Sequence, residues 1–175
     1  MLKLIEPAEE YARQIAVYRK AFLDSGDSMD GTDGLRRMED PKEWVEHCRR
    51  SKDPDKVPEG RVPATQYMLV REDDDKIVGM IQIRHLLNEY LAEYGGHIGY
   101  SVAPDERRKG YASHMLKSVL PLCRELGIGR VLITCIEGNE GSRRTILRNG
   151  GVYENTVFES DMKVHLERYW IDLSR

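Results

Sequence analysis

Apolar residues fall into a few clear periods along the chain. Between Glu9 and Leu23, Tyr11, Ile15, Tyr18 and Phe22 recur every three or four residues, which predicts an amphipathic helix. Lys3-Leu4-Ile5 before it reads as a short first strand. Gly26 to Gly34 (GDSMDGTDG) reads as a loop, and a second helix begins near Pro41 with Asp40 as its N-cap, carrying Trp44, Val45 and Cys48. Lys52 to Pro63 holds three prolines and a glycine and is a further loop. Gln66–Arg71 and Lys76–Leu86 form a hairpin around Asp73-Asp74-Asp75, with Ile77, Ile81 and Ile83 on one face. Glu89 to Gly96 is a polar connection with a flexible Gly95-Gly96 end, and His97–Val102 is a strand that Pro104 stops.

The second half is more strongly patterned. Ala112, Met115, Leu116, Val119, Cys123 and Leu126 mark a helix from Gly110 to Leu126, with Gly127 as its stop and a kink expected at Pro121. Val131–Ile136 is apolar on both faces, as a central strand is. The strand–helix–strand order predicts that His97–Val102 and Val131–Ile136 run parallel with a right-handed crossover. Asn139–Arg148 is a short helix capped by Asn139 and ended by Gly150-Gly151, and Val152–Phe158 and Val164–Leu173 close the fold as an antiparallel pair. The fold class is α/β (α+β): a mixed, largely antiparallel sheet with a parallel central strand pair and helices on both faces. Its 175 residues form a single domain, 1–175.

Composition narrows the function classes. A net charge of −3 argues against a nucleic-acid binder that works through a basic surface. No run approaches the ~20 apolar residues of a membrane span, and the N-terminus lacks a signal-peptide core, so a cytoplasmic protein is expected. Cys48, Cys123 and Cys135 are far apart and form no C-x-x-C pair, which predicts reduced thiols, with Cys123 and Cys135 buried in apolar contexts. The five histidines show no metal spacing, Asp73-Asp74-Asp75 lacks calcium-loop spacing, and Gly127-x-Gly129 follows a helix rather than a strand, so no metal or dinucleotide site is expected. A homodimer is the commonest assembly for such a chain.

The segment that carries chemistry is Val102-Ala103-Pro104-Asp105-Glu106-Arg107-Arg108-Lys109-Gly110-Tyr111-Ala112. A strand ends, a basic turn follows, and a long helix starts at a glycine. Main-chain N–H groups at a helix N-terminus point outward, and the helix dipole adds positive potential. Gly110 lacks the β-carbon that would block a close approach, and Arg107, Arg108 and Lys109 add formal charge. This is an anion site.

Arg107-x-x-Gly110-x-Ala112, the upstream Val102, Asn139 with Ser142 three residues on, and Gly150 together resemble the GNAT superfamily of acetyl-CoA-dependent N-acetyltransferases. The likeness covers roughly Gln66 to Leu173. It implies acetyl-CoA as co-substrate, with its pyrophosphate on the backbone of Arg107 through Ser113, a run that includes Arg108, Lys109, Gly110, Tyr111 and Ala112. It implies a pantetheine arm along main-chain groups near Tyr100, Ser101 and Val102. Asn139 would bond the pantetheine, cap its helix, or do both, and Ser142 would sit near the cofactor. The acceptor implied is a primary amine, on a small molecule or a protein, attacking directly in a ternary complex. A CoA-binding module without turnover and a transferase for longer acyl groups are the rival readings.

A lysine-like amine with pKa ~10.4 costs roughly 4.6 kcal/mol to deprotonate at pH 7, at 1.36 per unit. The family's usual positions for a base and an acid fall here on Gly96, Ile98 and Ile146, none of which titrates. Tyr100, on the strand face of Ile98, is one substitute as proton donor. His97 titrates in a useful range, and by alternation points to the other face unless a bulge reverses it. Acidic residues Asp24, Asp27, Asp30, Asp33, Glu39, Asp40, Glu89 and Glu93 lie in segments that would line an acceptor site and would suit a cationic amine.

Overall fold

The structure, a computed structural model, describes residues 1–174. Strand β1 (Leu2–Ile5) precedes a single 3-10 turn and helix α1 (Ala12–Ser25), which Gly26 ends in the left-handed region at φ 73°. Helix α2 (Pro41–Ser51) starts as its sequence predicts, with Pro41 in the first turn and Asp40 accepting from the Lys42 N–H. Strands β2 (Ala64–Arg71), β3 (Lys76–Arg84) and β4 (Ile98–Val102) follow. Helix α3 (Tyr111–Glu125) runs on through Pro121, and strand β5 is Arg130–Ile136. Helix α4 (Glu140–Arg148) and strands β6 (Val152–Glu159) and β7 (Val164–Asp172) complete the chain.

The strands form two antiparallel sheets, β1-β2-β3-β4 and β5-β7-β6. Helices cover both faces. Tyr11, Ile15, Tyr18, Phe22, Trp44 and Val45 pack on Met68, Val70, Ile77 and Met80. Met115, Leu116, Val119, Cys123 and Ile146 pack on the other side, against Leu69, Val78, Ile81, Ile83, Val131 and Ile133.

Three expectations change. Ile77 does not share a face with Ile81 and Ile83. The β2–β3 ladder shifts between Leu69 and Val70, so that Gly79 pairs with Leu69 and Ile77 with Val70. The extra residue, Val78, reverses the alternation, as a β-bulge does. The Gly95-Gly96 connection is not a flexible tail: Leu91–Gly95 is a π-helical turn, and a β-carbon on Gly96 would stand 2.5 Å from the Leu132 carbonyl oxygen.

The parallel central pair is reduced to one junction. The His97 N–H donates to the Leu132 carbonyl at 2.8 Å. The Leu132 N–H, which a parallel ladder would hand to a β4 carbonyl, instead donates to His97 Nδ1 at 2.9 Å. The imidazole caps the ladder, and beyond it β4 and β5 stand as the facing edges of two separate sheets.

Candidate functional site

The cleft between β4 and β5 opens from that junction toward the start of α3. The three later helices begin differently. Asp40 caps α2 and Asn139 caps α4, but no side chain caps α3, whose N-cap Gly110 is left-handed at φ 84°. The first N–H groups of a helix have no partner within it, so those of Tyr111, Ala112 and Ser113 are offered outward at the mouth of the cleft. A β-carbon on Gly110 would meet nothing within 4 Å, so the space before these groups is open.

The turn before α3 is held by Glu106, whose carboxylate is buried. It pairs with Arg71 at 2.8 Å, Lys76 at 2.8 Å and Lys109 at 2.7 Å. Hydrogen bonds from Arg71, then Lys109 and Lys76, hold its pKa well below the usual carboxylate range. Arg71 also reaches Asp74 and the Tyr111 hydroxyl, and Lys76 reaches Asp105. Arg107 pairs with Asp27 at 2.8 Å, its guanidinium 5.8 Å from the Phe22 ring centre. Two of the three cations expected to face an anion are therefore committed elsewhere. Arg108, exposed and left-handed at φ 62°, has no ion pair among the described residues. The pull on an anion comes mainly from backbone dipoles and this one side chain.

Along the cleft, Tyr18 and Ser101 share a buried hydroxyl contact of 2.9 Å, which turns the Ser101 side chain toward α1. Val102 packs partly into the core. Across the gap, the Tyr100 hydroxyl lies 2.7 Å from Ser142 Oγ and 3.3 Å from its carbonyl, in the first turn of α4. Burial raises the Tyr100 pKa, so the phenol keeps its proton at neutral pH. Asn139 Oδ1 accepts from the Ser142 N–H at 3.2 Å, which makes it the N-cap. Asn149 Nδ2 donates to Ser113 Oγ at 3.2 Å and ties the end of α4 to the start of α3.

An uncapped helix start, facing strand edges and a capped fourth helix at their far side recur in known folds. The acetyltransferase (GNAT) family model matches residues 32–150, more than half of the chain. The chain belongs to the GNAT acetyltransferase family. Comparison with curated protein sequences finds no match. Among solved structures, the ribosomal-protein-S5-alanine acetyltransferase from Vibrio fischeri is similar at 16% identity, over 98% of this chain and 91% of that one, with a TM-score of 0.72. The microcin C7 self-immunity acetyltransferase MccE, solved with acetyl-CoA and AMP, has 16% identity over 98% and 92%, with a TM-score of 0.71. RimL, a ribosomal L7/L12 alpha-N-protein acetyltransferase solved with CoA, has 18% identity over 99% and 94%, with a TM-score of 0.69. These likenesses concern the fold.

Within this GNAT frame, the positions expected for a base and an acid are packed away: Gly96, Ile98 and Ile146 are all buried. His97 is a clamp by geometry. Its Nδ1 is taken by Leu132, and burial, helped by the Arg84 charge, lowers its pKa to about 4. β4 pairs with β3 from Ile98 to Val102 without a bulge, so nothing turns His97 toward the Tyr100 face. Cys135 lies 3.7 Å from Glu167 Oε2, and burial, then that carboxylate, raise its thiol to about 12. It is no ready nucleophile. Among the described residues, no three His, Cys, Asp or Glu side chains gather to hold a metal ion, and no helix is long and apolar enough to cross a membrane.

Sequence reasoning missed Glu106, Asn149 and Arg84. Glu106 stood in the motif, between a proline turn and three basic residues, a position where a buried carboxylate organises a loop. Asn149 and Arg84 carried no local signal, because their partners lie 36 and 11 or 12 residues away.

Proposed function

We propose that this protein moves an acetyl group from acetyl-CoA to a primary amine by direct attack in a ternary complex. The observation that carries the reading is the uncapped start of α3 at the mouth of a cleft between two unpaired strand edges. The N–H groups of Tyr111, Ala112 and Ser113, with the Arg108 charge, form a cradle for the pyrophosphate. The free edge of β4 at Tyr100 to Val102 offers main-chain groups to the pantetheine. Family neighbours solved with acetyl-CoA or CoA support the same cofactor here.

In the reaction the neutral amine nitrogen bonds to the acetyl carbonyl carbon, the carbon–sulfur bond breaks, the nitrogen loses a proton and the thiolate gains one. Tyr100 is the donor to the sulfur: it keeps its proton, and it spans from β4 to the start of α4. The amine proton leaves to solvent, because the family's base positions cannot titrate. Holding amine and thioester together supplies much of the rate. A cytoplasmic enzyme fits the free, buried thiols.

The test is thermal unfolding with and without acetyl-CoA, on the wild type and on Gly110→Asp, paired with CoA release over an amine panel. Ligand at 100 times its Kd adds ~2.7 kcal/mol, which for this size raises the midpoint by roughly 5–10 °C. A shift that vanishes in a folded Gly110→Asp variant supports the cradle. Absence of any shift in the wild type, with acetyl-CoA or CoA, overturns the reading.

A further inference from the structure

At the junction end of the cleft sits a cation with no counter-ion. Arg84 is the last residue of β3, and its side chain is partly buried; desolvation lowers its pKa. Nη1 donates to the carbonyls of Gly95 at 3.0 Å and Gly96 at 3.1 Å. Among the described residues no carboxylate pairs with it. Nη2 lies 3.4 Å from where a β-carbon on Gly99 would stand, and that same point is 3.2 Å from the Gly31 nitrogen. The guanidinium therefore opens where the α1–α2 loop sits on β4. Asp30 and Asp33 of that loop act on it through space only. Asp33 Oδ1 lies 3.3 Å from His47 while its buried Oδ2 has no hydrogen-bond partner among the described residues, and Asp30 accepts from the Ser28 hydroxyl at 2.9 Å.

A partly buried charge without a counter-ion is costly, and two carbonyls offset only part of that cost. The cofactor cannot supply the missing anion. Its phosphates belong at the α3 end of β4, about 13 Å away at ~3.3 Å per residue over the length of the strand. Arg84 lies at the opposite end, where the transferase reading puts the acyl group and the acceptor. We infer that Arg84 binds a carboxylate carried by the acceptor, so that the substrate is an amine with its own acid group, an amino acid rather than a polyamine. This rests on the transferase reading above. The exposed Asp30 carboxylate beside the guanidinium then faces the ammonium of the same zwitterion. A planar fork with a free Nη2 suits a carboxylate better than a point charge does.

The experiment compares amino acids with their primary amides as acceptors, by CoA release, in the wild type, Arg84→Gln and Arg84→Lys. It is joined by thermal shifts with N-acetylglycine and N-acetylglutamate against their amides, in the presence of CoA. The expected result is a preference of at least about tenfold in kcat/KM for the free acid in the wild type, expressed in KM. In Arg84→Gln the members of each pair become equal to within about twofold, and Arg84→Lys keeps part of the preference. Equal use of acid and amide by the wild type, or a preference that survives in Arg84→Gln, overturns the inference and leaves the transferase intact. Binding of acetyl-CoA without turnover on any amine sinks the transferase reading instead. In that case the product analogues decide, and equal shifts for acid and amide overturn the anion site. If Arg84→Gln does not fold, the wild-type comparison and Arg84→Lys carry the test.

Discussion

The two ends of β4 are built on opposite plans. At its C-terminal end the backbone of the cradle is a local device: a proline turn, Glu106, a left-handed Gly110 and an uncapped helix, all within a dozen residues, braced from outside by Arg71, Lys76 and Asn149. Its glycine faces open space. At its N-terminal end the backbone itself is crowded. Gly96 is pressed on Leu132, Gly31 on Gly99, and Arg84 on the carbonyls of a π-helical turn. Binding power at the first end comes from groups left unpaired, and at the second mostly from groups forced together. Substitutions should therefore hurt function at one end and folding at the other.

The sharpest way to break that contrast is a methyl group. Gly96→Ala places a β-carbon 2.5 Å from a main-chain oxygen at φ 67°. Stability is expected to fall by about 3 kcal/mol or more, lowering the midpoint by roughly 10 °C. Gly110→Ala meets no atom and carries only left-handed strain of about 1 kcal/mol. Its loss should appear as weaker acetyl-CoA binding. Equal melting losses for the two variants would erase the distinction.

Acidification probes the junction. His97 has a folded pKa of about 4, against 6.5 for a free imidazole. The unfolded chain thus binds the extra proton first, and stability declines as pH falls from about 6.5 to 4, by on the order of 3 kcal/mol in all. His85, also lowered by burial, works in the same direction. Urea unfolding across this range should show the slope, and His97→Gln should flatten it at the expense of overall stability. An unchanged slope in the variant would remove His97 from the junction.

Tyr100→Phe keeps the packing and removes the hydroxyl. The expected outcome is a kcat lower by about tenfold to a hundredfold with an unaltered acetyl-CoA thermal shift. A normal kcat would leave the thiolate to solvent. Glu106→Gln leaves Arg71, Lys76 and Lys109 without their common anion, and the acetyl-CoA Kd measured by titration calorimetry should rise about tenfold. Arg108→Ala is the mildest, with a rise of a few-fold that shrinks as salt is added.

Legibility divides along the same line. The α3 motif, the Asp40 and Asn139 caps and nearly every strand could be read from the chain, because periodicity, capping and glycine placement are local. The Val78 bulge could not: one added residue in a ladder leaves the composition of the strand unchanged while turning Ile77 to the other face. The imidazole that ends the β4–β5 ladder was equally hidden, since His97 and Leu132 are 35 residues apart. The ion pairs that engage Arg107 and Lys109 were hidden for a related reason. A basic run looks like charge for a ligand, whereas the nearby carboxylates that consume it are revealed only by packing.

The two sheets also divide the chain in order. β1 to β4 come entirely from Leu2–Val102 and β5 to β7 entirely from Arg130–Asp172. A cut at the exposed Gly127 would yield two contiguous fragments, one bearing the cradle and the other bearing Asn139 and Ser142. Such fragments have a shared core to rejoin through, and on the proposed reading a bound acetyl-CoA would bridge them, so their reassembly is expected to respond to acetyl-CoA.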